Sequence, residues 1–268
     1  MTLIGAALGF IVGVILALTG AGGGILAVPL LVFGLGLSVA QAGPIGLFAV
    51  GIGAALGAIL GLRAGTVRYK AALLMALAGM LASPFGLWLV PRLDNPILSI
   101  LFSVLLLFVA YRTFRQAKDS FHSQKNTLAM QRLPCLRHPL HGRFIWNRSC
   151  VRVLALSGAL AGLLSGLLGV GGGFVMVPAL RRYTDLTASS TIATSMAVIA
   201  LVSLSGVAVS AAHGQVSWAI AMPFSSGTIA GMVGAGLISS RLAAPQLQRG
   251  FAALAALVAI GMFAKAWT

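Results

Sequence analysis

The sequence predicts an all-α polytopic membrane protein made of two homologous, inverted helical repeats, each with a glycine-broken first segment. Three observations carry that reading. Of 268 residues, 59% are hydrophobic and only 8% charged, and apolar runs of about 20 residues, long enough to cross a ~30 Å hydrocarbon core, follow one another along the chain. A glycine-rich break, Gly20-Ala21-Gly22-Gly23-Gly24 with Pro29, recurs as Gly169-Val170-Gly171-Gly172-Gly173 with Pro178 at one constant offset. Finally, the basic residues gather on one side of a membrane only if the repeats are inverted.

The first half reads as a helix over Leu3 to Leu18, the break, then helices over Ile25 to Leu37, Ala42 to Leu62, Ala71 to Val90 and Ile97 to Phe114. The second half repeats the order over Val151 to Leu168, Phe174 to Leu180, Ser189 to Ala211, Trp218 to Ser240 and Gln246 to Lys265. Matched positions extend beyond the breaks: Gly9 and Gly13 with Gly158 and Gly162, Gly57 with Gly206, and Gly65-Thr66-Val67 with Gly214-Gln215-Val216. The expected organisation is a repeat over 1–114, a basic linker over 115–150 and a second repeat over 151–268. Met1 to Leu18 lacks the basic start of a secretion signal, and its relative at Ser157 to Leu168 is internal, so it is read as mature structure.

Charge decides orientation. With one crossing per broken segment, Arg181, Arg182, Arg241 and Arg249 lie outside. With a segment that enters and returns, they join Arg63, Arg68, Lys70 and the linker inside, leaving Arg92 and Lys265 outside, with both termini.

The net charge of +15 has a topological cause, since half of the Lys and Arg residues fall between Arg112 and Arg152. Such a cytoplasmic loop suits anionic lipid, and no nucleic-acid-binding motif accompanies it. Cys135 and Cys150 lie in this loop, where a reducing cytoplasm argues against a disulfide, and two cysteines alone do not make a zinc site. His122, His138 and His141 have no metal-ligand spacing, and no motif calls for a cofactor or metal. The sequence leaves self-association into a homo-oligomer open.

The paired segments Gly20 to Pro29 and Gly169 to Pro178, the turns Gly65-Thr66-Val67 and Gly214-Gln215-Val216, and Thr194-Ser195 resemble the TauE/SafE family of sulfite-exporter-like permeases. The likeness covers nearly the whole chain except the linker. It implies a cell-membrane permease of sulfur-containing anions such as sulfite or sulfonates. In the first repeat Ile45-Gly46 replaces Thr194-Ser195, so polar contacts from this helix pair are expected to be one-sided.

Physical chemistry points to an anion independently. A helix N-terminus offers unpaired N–H groups and the positive end of the helix dipole, and glycine lets a ligand approach the backbone. The candidate substrate site therefore comprises Gly20, Gly22, Gly23, Gly24, Gly169, Gly171, Gly172 and Gly173, with hydroxyl donors from Thr19, Ser165, Thr194 and Ser195. The spaced pairs Gly9 with Gly13, Gly158 with Gly162 and Gly53 with Gly57 read instead as helix-packing contacts.

The chain has no glutamate, and its three aspartates, Asp94, Asp119 and Asp185, fall at helix ends or loops. An intramembrane carboxylate relay is thereby excluded. His213 is the one titratable group left near a helix end as a candidate for coupling. Ser165 or Ser195 with His213 is the only serine–histidine set for a membrane hydrolase, and no motif supports it; neither break continues into a phosphate loop. A passive anion channel is the stronger rival to a carrier.

Overall fold

The structure is a computed structural model that describes residues 2–20, 22–119, 135, 147–238 and 244–265. It contains α1 (Thr2–Thr19), α2 (Gly22–Leu35), α3 (Val39–Arg63), α4 (Tyr69–Leu89), a single tight turn over Val90–Arg92, and α5 (Asn95–Asp119). The second half has α6 (Arg148–Leu168), α7 (Gly173–Tyr183), α8 (Ala188–Ala212), α9 (Trp218–Ile238) and α10 (Ala244–Lys265). All the helices read from the sequence are present in order. α5 continues past Phe114 to Asp119, and α6 starts at Arg148, so the linker is shorter than expected. His122, His138 and His141 lie outside the described residues.

Among the described residues, six helices, those beginning at Thr2, Val39, Tyr69, Asn95, Arg148 and Ala188, are long and apolar enough to cross a membrane. Large apolar side chains face outward as well as inward across the bundle. Leu81, Phe85, Phe108 and Leu257 are exposed, while Phe102 and Phe224 are fully buried, as expected where the solvent is lipid. Arginine–aromatic pairs mark the two edges: Arg92 stacks 3.4 Å from the Trp88 ring, and Arg115 lies 5.7 Å from Tyr111. Aromatic rings and arginines favour the headgroup boundary.

The repeat is visible in the local chemistry of helix ends. Ser38 caps α3, its hydroxyl accepting the Gln41 N–H while the Gln41 side chain returns to the Ser38 N–H; its counterpart Thr187 caps α8 by accepting from Ser190. Each cap fills an otherwise orphaned helix donor. Both helices then end the same way. Gly65 and Gly214 take positive φ, and Thr66 and Gln215 donate backbone N–H groups to Gly61 at 3.0 Å and Ser210 at 2.9 Å.

The halves interlock. α1 packs along α9, α6 along α4, α3 along α8 and α5 along α10. A Cβ at Gly9 would strike the Phe224 carbonyl and one at Gly13 the Thr228 carbonyl; at the matched positions Gly158 and Gly162, it would strike the carbonyls of Met75 and Gly79. The spaced glycines therefore serve close helix contact. Contact positions rise together along α1 and α9, and along α4 and α6, so each pair is parallel. Along α3 and α8 they run oppositely, with Gly51 against Ser203, Gly57 against Met196 and Gly61 against Ala193.

Each broken segment is a hairpin. Gly23 lies on Leu16, and Gly34 on Leu8, bringing α2 back along α1. At 1.5 Å per residue α2 and α7 are only about 21 and 16 Å long, short of a ~30 Å core.

One expectation is overturned. Cys135 and Cys150 form a disulfide, with Cα atoms 5.0 Å apart. The Cys135 N–H donates to the Tyr183 carbonyl at 3.2 Å, beside a bridge to Thr184. Cys135 is thus held against the end of α7, next to the start of α6, and both cysteines are fully buried. The pairing at Tyr183 and Thr184 brings the two sulfurs together whatever the compartment.

Candidate substrate site at the paired helix breaks

The two breaks meet inside the bundle. A Cβ at Gly24 would lie 2.6 Å from the Val170 carbonyl oxygen and 3.2 Å from Val50 Cγ1. At Gly171 it would lie 3.0 Å from Ile199 Cγ2, 3.2 Å from Ser203 Oγ and 3.3 Å from Val50 Cγ1. Val50 and Ile199 are matched residues of the two repeats, so the starts of α2 and α7 converge on one small, nearly symmetric cluster. The second break is made by Gly169, Gly171 and Gly172, all with φ between 67° and 75°, a conformation costly for any residue with a Cβ.

The glycines divide into two groups. A Cβ at Gly23 would lie 2.5 Å from the Leu16 backbone nitrogen, and one at its counterpart Gly172 would lie 2.5 Å from the Ala161 carbonyl oxygen, so each hairpin closes on its glycine. Gly172 also caps α7 and accepts from Val175 and Met176. Gly24 instead faces the opposite break at Val170, and Gly171 faces Val50, Ile199 and Ser203. Gly22 and Gly173 are the first residues of α2 and α7.

The breaks end in different surroundings. Gly20, with φ of 76°, packs on Ile192, while its counterpart Gly169 packs on Gly43. The glycine leaves a narrow cavity of about 20 Å³, lined by Gly43, Pro44, Leu47, Leu87, Gly169 and Ser210. That is room for about one water molecule. A multi-atom ligand needs the helices to part.

Three of the four hydroxyls expected from sequence have hydrogen-bond partners. Thr19 Oγ donates to the Ile15 carbonyl at 2.7 Å and Ser195 Oγ to the Ile192 carbonyl at 2.8 Å; Thr194 Oγ accepts the Arg68 N–H at 3.1 Å. Thr194 stands about 13 Å along α8 from Ser203. Ser165 is fully buried and its Oγ has no hydrogen-bond partner. Sequence reading missed three similar residues, Ser83, Ser203 and Ser210. Ser203, Gly206 and Ser210 share one face of α8, and a Cβ at Gly206 would lie 3.4 Å from Ser83 Oγ. A broken polar line thus runs from the cavity to Gly171.

The matched positions in the other half are Met232, Leu16, Ala54 and Gly61. There the space is filled with apolar groups: Met196 Sδ packs on Gly57, with Met232 Cε 2.7 Å from a Cβ at that glycine. Comparing the repeats position by position for lost hydroxyls is the signal that would have found the three serines.

Ser195 and His213 are not brought together. His213 caps α8 with Nδ1 2.8 Å from the Val209 carbonyl and is exposed, about 27 Å along the helix from Ser195. Among the described residues no group of His, Cys, Asp and Glu could hold a metal ion.

Comparison with known proteins agrees with this architecture. The family model for sulfite exporter TauE/SafE matches residues 5–262. A probable membrane transporter protein of Xylella fastidiosa strain 9a5c is 30% identical over 263 residues, covering 97% of this chain and 94% of the relative. One from Methanocaldococcus jannaschii is 30% identical over 206 residues, 74% of this chain and 68% of the relative. No solved structure matches. A family match across both glycine breaks and all the membrane-length helices places this multi-pass chain in the sulfite exporter TauE/SafE family of membrane transporters.

Proposed function

We propose that the chain is a cytoplasmic-membrane permease for a small anion, a sulfur oxyanion or organosulfonate such as sulfite, held between the N-termini of α2 and α7. The observation that carries this reading is the convergence of both helix starts on Gly24, Gly171 and the buried, unpartnered Ser203 hydroxyl. Helix N-termini favour anions, and a buried donor without a partner is costly until a ligand accepts from it.

The halves are inverted repeats with both termini outside. Parallel pairing of α1 with α9 and α4 with α6, against antiparallel α3 and α8, supports this arrangement. It places Arg63, Arg68, Lys70, Arg148, Arg181 and Arg182 on one side, with Arg92 at the other. Inverted repeats meeting at short broken helices suit alternating access, and the cavity near Gly169 lies toward the outer ends of α3 and α8. The anionic inner leaflet fits the basic linker.

A thermal-shift screen of purified protein against sulfite, sulfate, thiosulfate, small sulfonates and carboxylates tests the substrate class, because a ligand of the folded state raises apparent stability. Saturable uptake with counterflow in proteoliposomes is the expected behaviour. Unsaturable conductance would mean a channel.

A further inference from the structure

We propose that this site accepts a singly charged oxyanion and rejects the doubly charged form. The inference rests on the anion reading above and narrows it. The cost of removing an ion from water grows with the square of its charge, so a second charge must be met by a matching positive one.

The groups nearest to Gly24 and Gly171, from Val50, Val170, Ile199 and Ser203, carry no formal charge. Every buried polar side chain among the described residues is Ser or Thr. Arg68 is half-buried and its Nε is buried without a hydrogen-bond partner; its backbone is fixed to Thr194, about 13 Å along α8 from Ser203.

The fold supplies two helix N-termini and neutral hydroxyls. Each N-terminus carries roughly half an elementary charge, so α2 and α7 together offset about one negative charge. On α7 that positive end is left unopposed, because Arg181 and Arg182 in its last turn answer the negative end. Ser203, fully buried, supplies a donor independent of the helix ends, with Oγ beside Gly171 and no partner. The Val170 carbonyl, turned toward Gly24, adds negative potential and further disfavours a second charge. The ligand chemistry that fits is R–SO₃⁻, or the hydrogen form of an inorganic oxyanion.

Methanesulfonate and sulfate test this, sharing S–O geometry while differing in charge. Titrated into the full-length protein in detergent at constant ionic strength, methanesulfonate should bind at least about tenfold more tightly. Sulfite affinity should fall about tenfold per pH unit above its second ionisation, while methanesulfonate affinity stays level. Ser203→Ala should weaken methanesulfonate binding about tenfold or more. Sulfate binding as tightly as methanesulfonate would overturn the charge rule and leave the anion reading standing. Failure of every anion to bind would remove the anion reading itself.

Discussion

Thr194 accepts the backbone N–H of Arg68 at 3.1 Å, tying the turn before α4 to the second helical turn of α8. The bond joins the two halves, and it engages the donor of the residue that precedes α4, which makes no side-chain cap of its own.

Thr194→Ala should therefore lower stability by about 0.5–1.5 kcal/mol, the usual worth of one such bond, and Thr194→Ser should restore most of it. Unfolding of the purified variants in a denaturing detergent titration measures this. A loss of anion affinity at unchanged stability would instead place the hydroxyl on the ligand.

Ser203→Ala should behave in the opposite way. Its hydroxyl is buried without a partner, so removing it should leave stability unchanged or raised, while binding of methanesulfonate weakens by about 1.5–3 kcal/mol, the worth of a hydrogen bond to a charged group. Thermal melts with and without ligand separate the two effects.

Gly13→Ala and Gly162→Ala should each destabilise by about 1–3 kcal/mol, since the added methyl enters a helix crossing already at backbone contact. Gly234→Ala, with nothing within 4 Å, should be neutral or gain up to about 1 kcal/mol from helix propensity. Gly23→Val and Gly172→Val should open the α1–α2 and α6–α7 hairpins, seen as protease sensitivity, because both glycines face the backbone of the partner helix.

Orientation can be read from sulfur chemistry. Thr268→Cys should react with an impermeant maleimide from outside. Labelling at position 268 from the cytoplasmic side alone would reverse the orientation.

The helices were legible because their causes are local. Ser38 and Thr187 start α3 and α8, Gly65 and Gly214 stop them, and apolar length sets the rest. The convergence of the breaks was legible as a pattern, but its chemistry was not. Three consecutive glycines do not say which faces a neighbour, so Gly23 and Gly24 differ only once α1 and the opposite break are in place. Nor does a serine in an apolar helix announce itself, because most bond back to their own helix, as Ser157 does to Val153. Ser203 stands apart only because its Oγ does not. The Cys135–Cys150 pairing depended on a strand-like contact at Tyr183 and Thr184 that no periodicity signals.

The interlocking of α1 with α9 and α6 with α4 sets a schedule for biogenesis. When the ribosome has finished the first half, α1 and α4 have no partner for their glycine faces; α4 gains one when α6 is made, and α1 waits until α9 leaves the tunnel. The nascent N-terminal hairpin must therefore persist in the bilayer with an unsatisfied contact face for most of synthesis. Neither half expressed alone should reach a stable fold, whereas the two halves made as separate chains in one cell should find each other and assemble.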